Sequence, residues 1–276
     1  MELDIRTTVA LSDDVAMPRL GLGVFKSEPG AETENAVRWA LQVGYRHIDT
    51  AALYANEASV AAGLRASGVE RADVFLTTKV WNTDHGYDKT MHAFDRSLRE
   101  LGFDYVDLYL VHWPVPSQGL AAKTWTALEA IHRDGRARSI GVSNFEPHHI
   151  DELVATADIS PKVNQVELHP YLQQRHIQGY CREHGIVLEA WSPLAKGAVV
   201  DDLVLRAIAE RHGKTAVQVT IRWMLQLGIV TIPKSVKQER IAANADVYDF
   251  ELSDDDMAQI AALDRDGRTG PHPDRF

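Results

Sequence analysis

Short β-branched apolar runs alternate with longer amphipathic stretches along almost the whole chain. The runs Leu20–Gly23, His47–Asp49, Val74–Val80, Val106–His112, Ser139–Ser143, Val163–Glu167, Ile186–Ala190 and Ile229–Ile232 are near-continuous in apolar character, as parallel strands covered on both faces are. Between them apolar positions recur at helical spacing: Ala36, Ala40 and Val43 within Thr33–Val43, and Met91, Phe94, Leu98 and Leu101 within Asp88–Leu101. Lys123–Arg133 and Val204–His212 read alike, and 201–228 holds two helical patterns that part near Gly213. This alternation predicts an α/β fold, either a closed (β/α)8 barrel or a doubly wound sheet. Arg6–Val9 and Val15–Met17 flank Ser12-Asp13-Asp14, which predicts an N-terminal β-hairpin ahead of the first strand. From Asp264 onward Gly, Pro, Arg and His predict an irregular C-terminal tail. No repeat, low-complexity run or linker divides residues 1–276, which read as a single domain.

The 276 residues are 45% hydrophobic and 25% charged, enough to bury the core of one α/β barrel. A formal net charge of −10 argues against a nucleic-acid partner, because phosphate backbones need a basic face. No run approaches the roughly 20 apolar residues of a membrane helix. Met1-Glu2-Leu3-Asp4 lacks the basic start of a secretory signal. The lone Cys181 excludes an internal disulfide and fits a reducing compartment. A soluble cytoplasmic protein is the expectation.

In a (β/α)8 barrel reactive groups collect where the strands end. The second strand ends at Asp49 with Tyr54 just beyond, the third at Lys79 and the fourth at His112. Each alone has a plainer reading: a helix cap, a packing ring, a structural histidine. Lys79 resists it, because lysine is almost never buried unless paired, and Asp49 could neutralise it. Together the four describe a tuned proton donor. Free tyrosine titrates near about 10, and an adjacent ammonium lowers that value while a carboxylate keeps the ammonium charged. His112 could hydrogen-bond the substrate oxygen. Such a group protonates a carbonyl while hydride arrives at carbon, so a hydride-carrying cofactor is required. Gly21-Leu22-Gly23 begins like a dinucleotide fingerprint, but the third glycine is missing, which argues against a Rossmann domain. Near the last strand Lys234, Ser235 and Arg240 form a basic cluster where barrels commonly hold phosphate.

The segments Gly44–Ala51, Tyr54 with Asn56-Glu57, Thr77–Trp81, Asp107–Pro114, Ile140–Phe145, Asn164–Glu167 and Ile232–Ser235, in this order, resemble the aldo-keto reductases over essentially the whole chain. The likeness is greatest to the bacterial 2,5-diketo-D-gluconate reductase branch. The resemblance implies a (β/α)8 TIM barrel, a monomer, and NADPH-dependent reduction of aldehydes and ketones, small dicarbonyls and keto-sugar acids among them. It places the catalytic set on Asp49, Tyr54, Lys79 and His112, with Tyr54 as general acid. It further implies that Ser143, Asn144 and Gln165 hold the nicotinamide carboxamide and that Trp191 stacks on the ring. Ser192 and Leu194 would follow the pyrophosphate, and Lys234, Ser235, Arg240 and Asn244 the 2′-phosphate and adenosine. Lys237-Gln238 and Ala243 depart from residues common in relatives. Phe25, Trp81 and Trp113 would line the substrate pocket, left open by the short Trp113–Gly119 stretch, and Arg268, His272 and Arg275 could attract a carboxylate. Two rivals share some of these features: a non-catalytic NADPH-binding module, and a metal-dependent barrel hydrolase built on His47, Asp49 and His112. The lack of further strand-end His or carboxylate ligands matching a metal site and the nearby Lys79 cation argue against a metal.

Overall fold

The computed structural model describes residues 3–276. An antiparallel hairpin, β1 (Thr8–Ala10) and β2 (Ala16–Pro18), pairs Val9 with Met17. It sits one to two residues later than the pattern predicts, because Leu11 N–H closes the turn onto Val15 O. Eight parallel strands follow: β3 (Leu22–Gly23), β4 (His47–Asp49), β5 (Phe75–Val80), β6 (Val106–Val111), β7 (Ala137–Ser143), β8 (Val163–Glu167), β9 (Val187–Trp191) and β10 (Val230–Thr231). Each pairs with the next, and parallel bridges Leu20–Thr231 and Gly23–Lys234 join first to last, giving the (β/α)8 barrel. The seam explains the two glycines that imitate a nucleotide fingerprint. A Cβ on Gly21 would lie 2.6 Å from His47 Nδ1, and one on Gly23 2.9 Å from Ile232 O. They serve close approach of the chain to itself.

The strands are followed by α1 (Ala31–Val43), α2 (Glu57–Ser67), α3 (Tyr87–Leu101), α4 (Ala121–Arg133), α5 (Pro147–Val154), α6 (Arg175–Glu183), the pair α7 (Leu203–His212) and α8 (Ala216–Gln226), and α9 (Gln238–Ala245), with α10 (Asp254–Ala261) after the last. The main core lies between sheet and helices, with Ile48, Leu76, Tyr109, Val142 and Ala190 facing outward onto them. Inside the barrel the lower end is apolar: Phe75, Leu108, Leu110, Val163 and Val230 pack on Leu11, Val15 and Met17, so the hairpin plugs that end. Above this plug the inward positions turn polar, with His47, Asp49, Thr77, Lys79, Gln165 and Glu189 all buried. Strand alternation puts each of them on the inner face. The tail beyond Asp264 is irregular except for a turn at Pro273–Arg275, as the pattern predicts. Among the described residues no helix is long and apolar enough to cross a membrane.

Candidate active site

Asp49 ends β4, and Lys79 is the last inward-facing residue of β5. Lys79 Nζ donates to Asp49 Oδ1 at 2.6 Å and to Thr50 O at 2.9 Å, and no part of it reaches solvent. Tyr54 closes a single helical turn, Ala52–Tyr54, after β4. Asn56 fastens that turn: it accepts from Thr50 Oγ1 and donates to Val24 O and Ser27 O. Glu57 accepts from Thr78 Oγ1 at 2.6 Å. The Asn56-Glu57 pair therefore sets where the Tyr54 ring lies, 5.3 Å from Lys79 Nζ and 5.8 Å, edge to face, from the His112 ring. The four strand-end residues thus meet at one mouth.

Burial raises the Tyr54 phenol, and although Lys79 pulls it down, Asp49 and Glu189 add to the rise and carry it to about 12. The sequence argument expected a net lowering; in the cofactor-free site desolvation outweighs the ammonium. Burial depresses Lys79, but Asp49 and Tyr54 outweigh it and raise it overall. Burial first, then Lys79 and His85, holds His112 well below the usual imidazole range, so its ring is neutral. Its Nδ1 is a buried atom with no partner among the described residues.

The nicotinamide candidates cluster at the ends of β7, β8 and β9. Ser143 Oγ donates to Gln165 O at 2.8 Å, and Asn144 Nδ2 donates to His112 O at 2.9 Å. Trp191 Nε1 donates to Asn144 Oδ1 at 2.8 Å, which holds the half-buried indole against the mouth. Asn144 and Ser192 take positive φ angles of 63° and 52°, backbone strain of the kind that gathers at functional sites. Leu194 packs on the core at the start of the loop that follows. Just beyond the neighbouring strand β10, Lys234 and Arg240 are exposed and make no ion pair among the described residues, whereas Ser235 and Asn244 are buried. Ser235 Oγ accepts from Lys237 N–H just before α9, whose N-terminus offers further donors to an anion.

Phe25 packs on Tyr54 at 5.0 Å between centroids, and Trp81 on His112 at 5.1 Å. The sequence reading missed Phe276. Its ring lies 4.3 Å from Trp113 and 6.1 Å from Trp81, so the tail fills the space that the short Trp113–Gly119 stretch leaves open. The tail is fastened by Glu167, which accepts from Thr269 N–H and Oγ1 and from Gly270 N–H, and by Lys196 Nζ donating to Thr269 O. Gly270 is needed here, since a Cβ would meet Trp191 Cη2 at 2.6 Å. Of the tail cations, Arg268 faces Gln174 and Glu146, and His272 faces Asp274. A cleft lined by Leu53, Glu57, Trp81 and Arg96 lies beside Asp49, Tyr54, Lys79 and His112 rather than over them.

His47 belongs to the barrel interior, 3.6 Å from Glu189, with burial driving its imidazole down to about 3. The one group of three metal-type ligands among the described residues is His148, His149 and Asp274, at the rim. His149 Nδ1 accepts the Glu146 N–H of a capping box, so its neutral ring carries the proton on Nε2, the atom a metal would need.

Residues 19–265 match the model of the aldo/keto reductase family. The chain belongs to that family. It is 53% identical over 276 residues to glyoxal reductase of Bacillus subtilis (strain 168), covering 100% of this chain and 99% of the relative. It is 45% identical to methylglyoxal reductase DkgA of Escherichia coli (strain K12), covering 98% of each. Among solved structures, a Gox0644 mutant in complex with NADPH superposes with a TM-score of 0.94 at 45% identity, covering 98% of each chain. The motifs that carry the resemblance in the sequence fall at the barrel mouth and along its seam.

Proposed function

We propose that this aldo-keto reductase reduces small aldehydes and ketones, α-dicarbonyls and keto-sugar acids among them, with NADPH as cofactor and Tyr54 as general acid. The observation that carries the reading is the convergence of Tyr54, His112 and the buried Lys79–Asp49 pair at one mouth. NADPH, when bound, supplies the hydride.

The residues present fit that cofactor. The Trp191 indole, fixed by Asn144, offers a flat apolar face, and Ser143 and Gln165 lie beside it. Ser192 and Leu194 lead away from it along the rim. Lys234 and Arg240, which make no ion pair among the described residues, are cations suited to the added phosphate, with Ser235 and Asn244 beside them.

A phenol held up at about 12 keeps its proton at every working pH, so the acid is always loaded. As charge develops on the carbonyl oxygen, that proton moves from Tyr54 to it. The phenolate left behind is stabilised by the Lys79 ammonium, which Asp49 holds in place. Neutral His112 donates a hydrogen bond to the same oxygen and sets the approach of the carbonyl. Phe25, Trp81, Trp113 and Phe276 surround this polar corner with apolar surface, which favours small carbonyl compounds.

The test is NADPH absorbance during incubation with methylglyoxal, phenylglyoxal and 2,5-diketogluconate, with NADH in parallel. Substrate-dependent oxidation, faster with NADPH, is expected. Tyr54→Phe removes the acid and little shape, and should lower reduction by about 10²–10⁴-fold with NADPH binding nearly intact. Cofactor binding without turnover of any carbonyl would overturn the enzymatic reading.

A further inference from the structure

Glu189 lies inside the barrel in the middle of β9, has no exposed surface, and beyond its electrostatic pull on Tyr54 has no role in the chemistry above. It sits in register with Gln165 of β8. Gln165 Nε2 donates one hydrogen to Glu189 Oε2 at 2.8 Å and the other to Asp49 Oδ2 at 2.8 Å. The Asp49 carboxylate, ion-paired with Lys79, fixes this orientation of the amide, because the amide carbonyl would be repelled from it. Burial and then Asp49 push Glu189 up to about 8, and its carbonyl oxygen accepts the second N–H with or without a proton on the group. The NH2 therefore points into the barrel and Oε1 is left for the pocket.

The neighbouring polar groups are already engaged. Ser143 Oγ donates to Gln165 O and accepts from Asn144 Nδ2, which also donates to His112 O. Asn144 Oδ1 accepts from Trp191. Among the side chains of Ser143, Asn144 and Gln165, Gln165 Oε1 is the amide atom without a partner in the described residues. The Glu189 side chain has little else to hold. Its Oε1 has no hydrogen-bond partner among the described residues and lies 3.6 Å from His47 Nε2.

We infer that Glu189 is a positioning residue that, together with Asp49, locks the Gln165 amide so that the nicotinamide pocket offers a hydrogen-bond acceptor, and thereby selects a ring substituent carrying an N–H. The inference rests on the NADPH reading above. It also ties the two halves of the site together, since Asp49 holds the proton-donor side through Lys79 and the cofactor side through Gln165.

The probe is the oxidised 3-acetylpyridine analogue of NADP, whose methyl ketone replaces the carboxamide and has no N–H. Affinities of NADP+ and the analogue are read by quenching of tryptophan fluorescence, without turnover. Wild type should prefer NADP+ by about tenfold, the effect of leaving one enclosed acceptor unpaired. Glu189→Leu leaves the Gln165 amide held by the Asp49 bond alone and free to swing on it, so its Oε1 is no longer fixed toward the ligand and the preference should shrink toward parity. Glu189→Gln retains a carbonyl at the same reach and should restore the wild-type preference, which a role in packing alone would not predict. If circular dichroism shows that Glu189→Leu does not fold, Glu189→Thr, too short to reach Gln165, takes its place with the same expectation. Equal binding of both nucleotides by wild type, or an unchanged preference in the Leu or Thr variant, overturns the inference. Absence of NADP+ binding to wild type would instead overturn the cofactor reading beneath it.

Discussion

Replacing Lys79 with Met leaves the Asp49 carboxylate deep in the mouth without the ammonium that now stands 2.6 Å away. At an effective dielectric constant of about 20, two unit charges at that separation attract by roughly 6 kcal/mol, gross of desolvation. Taking both ions out of water offsets most of this, so the pair adds little net stability, yet removing one partner strands the other. Such a loss is about 3–5 kcal/mol for a buried pair. Thr50 O also loses its 2.9 Å donor, while the Gln165 N–H on Asp49 Oδ2 softens the penalty. Lys79→Met should therefore unfold at markedly lower urea, by about 3 kcal/mol or more, followed by tryptophan fluorescence at pH 7. Asp49→Asn should also destabilise. The double variant should be more stable than the sum of the two single losses predicts, by about 2 kcal/mol, because neither charge is then stranded. It should not regain carbonyl reduction, because Tyr54 still lacks the ammonium that stabilises its phenolate. A loss below about 1 kcal/mol for Lys79→Met with strict additivity in the double variant, as for an exposed pair, would refute this account.

Two further outcomes follow from the tail. Burial pushes the Glu167 carboxyl up, but hydrogen bonds from His169, Thr269 and Gly270 outweigh it and hold it at about 2, against 4.5 for the free group. A depressed carboxylate contributes stability that is fully present above its unfolded value and lost as pH falls toward the folded one. Unfolding free energies from urea titrations should therefore drop between about pH 4.5 and 2, by about 3 kcal/mol from this group, and Glu167→Gln should flatten that part of the profile. An identical slope in the variant would count against the assignment. Phe276→Ala removes the ring packed on Trp113 and Trp81, an aromatic contact of about 0.5–1.5 kcal/mol. Relative kcat/KM should shift from methylglyoxal toward bulkier aryl ketones; unchanged ratios would show that the tail does not shape the pocket.

The strands were legible because parallel strands covered on both faces must be apolar almost throughout. Only their ends moved: β9 runs Val187–Trp191 rather than Ile186–Ala190, so Trp191 lies within the strand. The helices at 57–67, 147–154, 175–183, 238–245 and 254–261 were not assigned individually. In α6 the reason is plain, since Arg175–Glu183 buries only Ile177 and Cys181 and carries too thin an apolar stripe to read.

The sequence by itself determined the alternation of strands and helices, and with it the strand-end placement of Asp49, Tyr54, Lys79 and His112. Inward and outward positions follow from a period of two within each strand, which is local information. Only the closed barrel decided what lay between strands far apart in sequence. It brought Gln165 between Asp49 and Glu189, pressed Gly21 and Gly23 against the seam, and returned Phe276 over Trp113. It also reversed the expected direction for Tyr54. The charge of Lys79 could be read from the chain, whereas the desolvation that opposes it arises when the surrounding side chains exclude water.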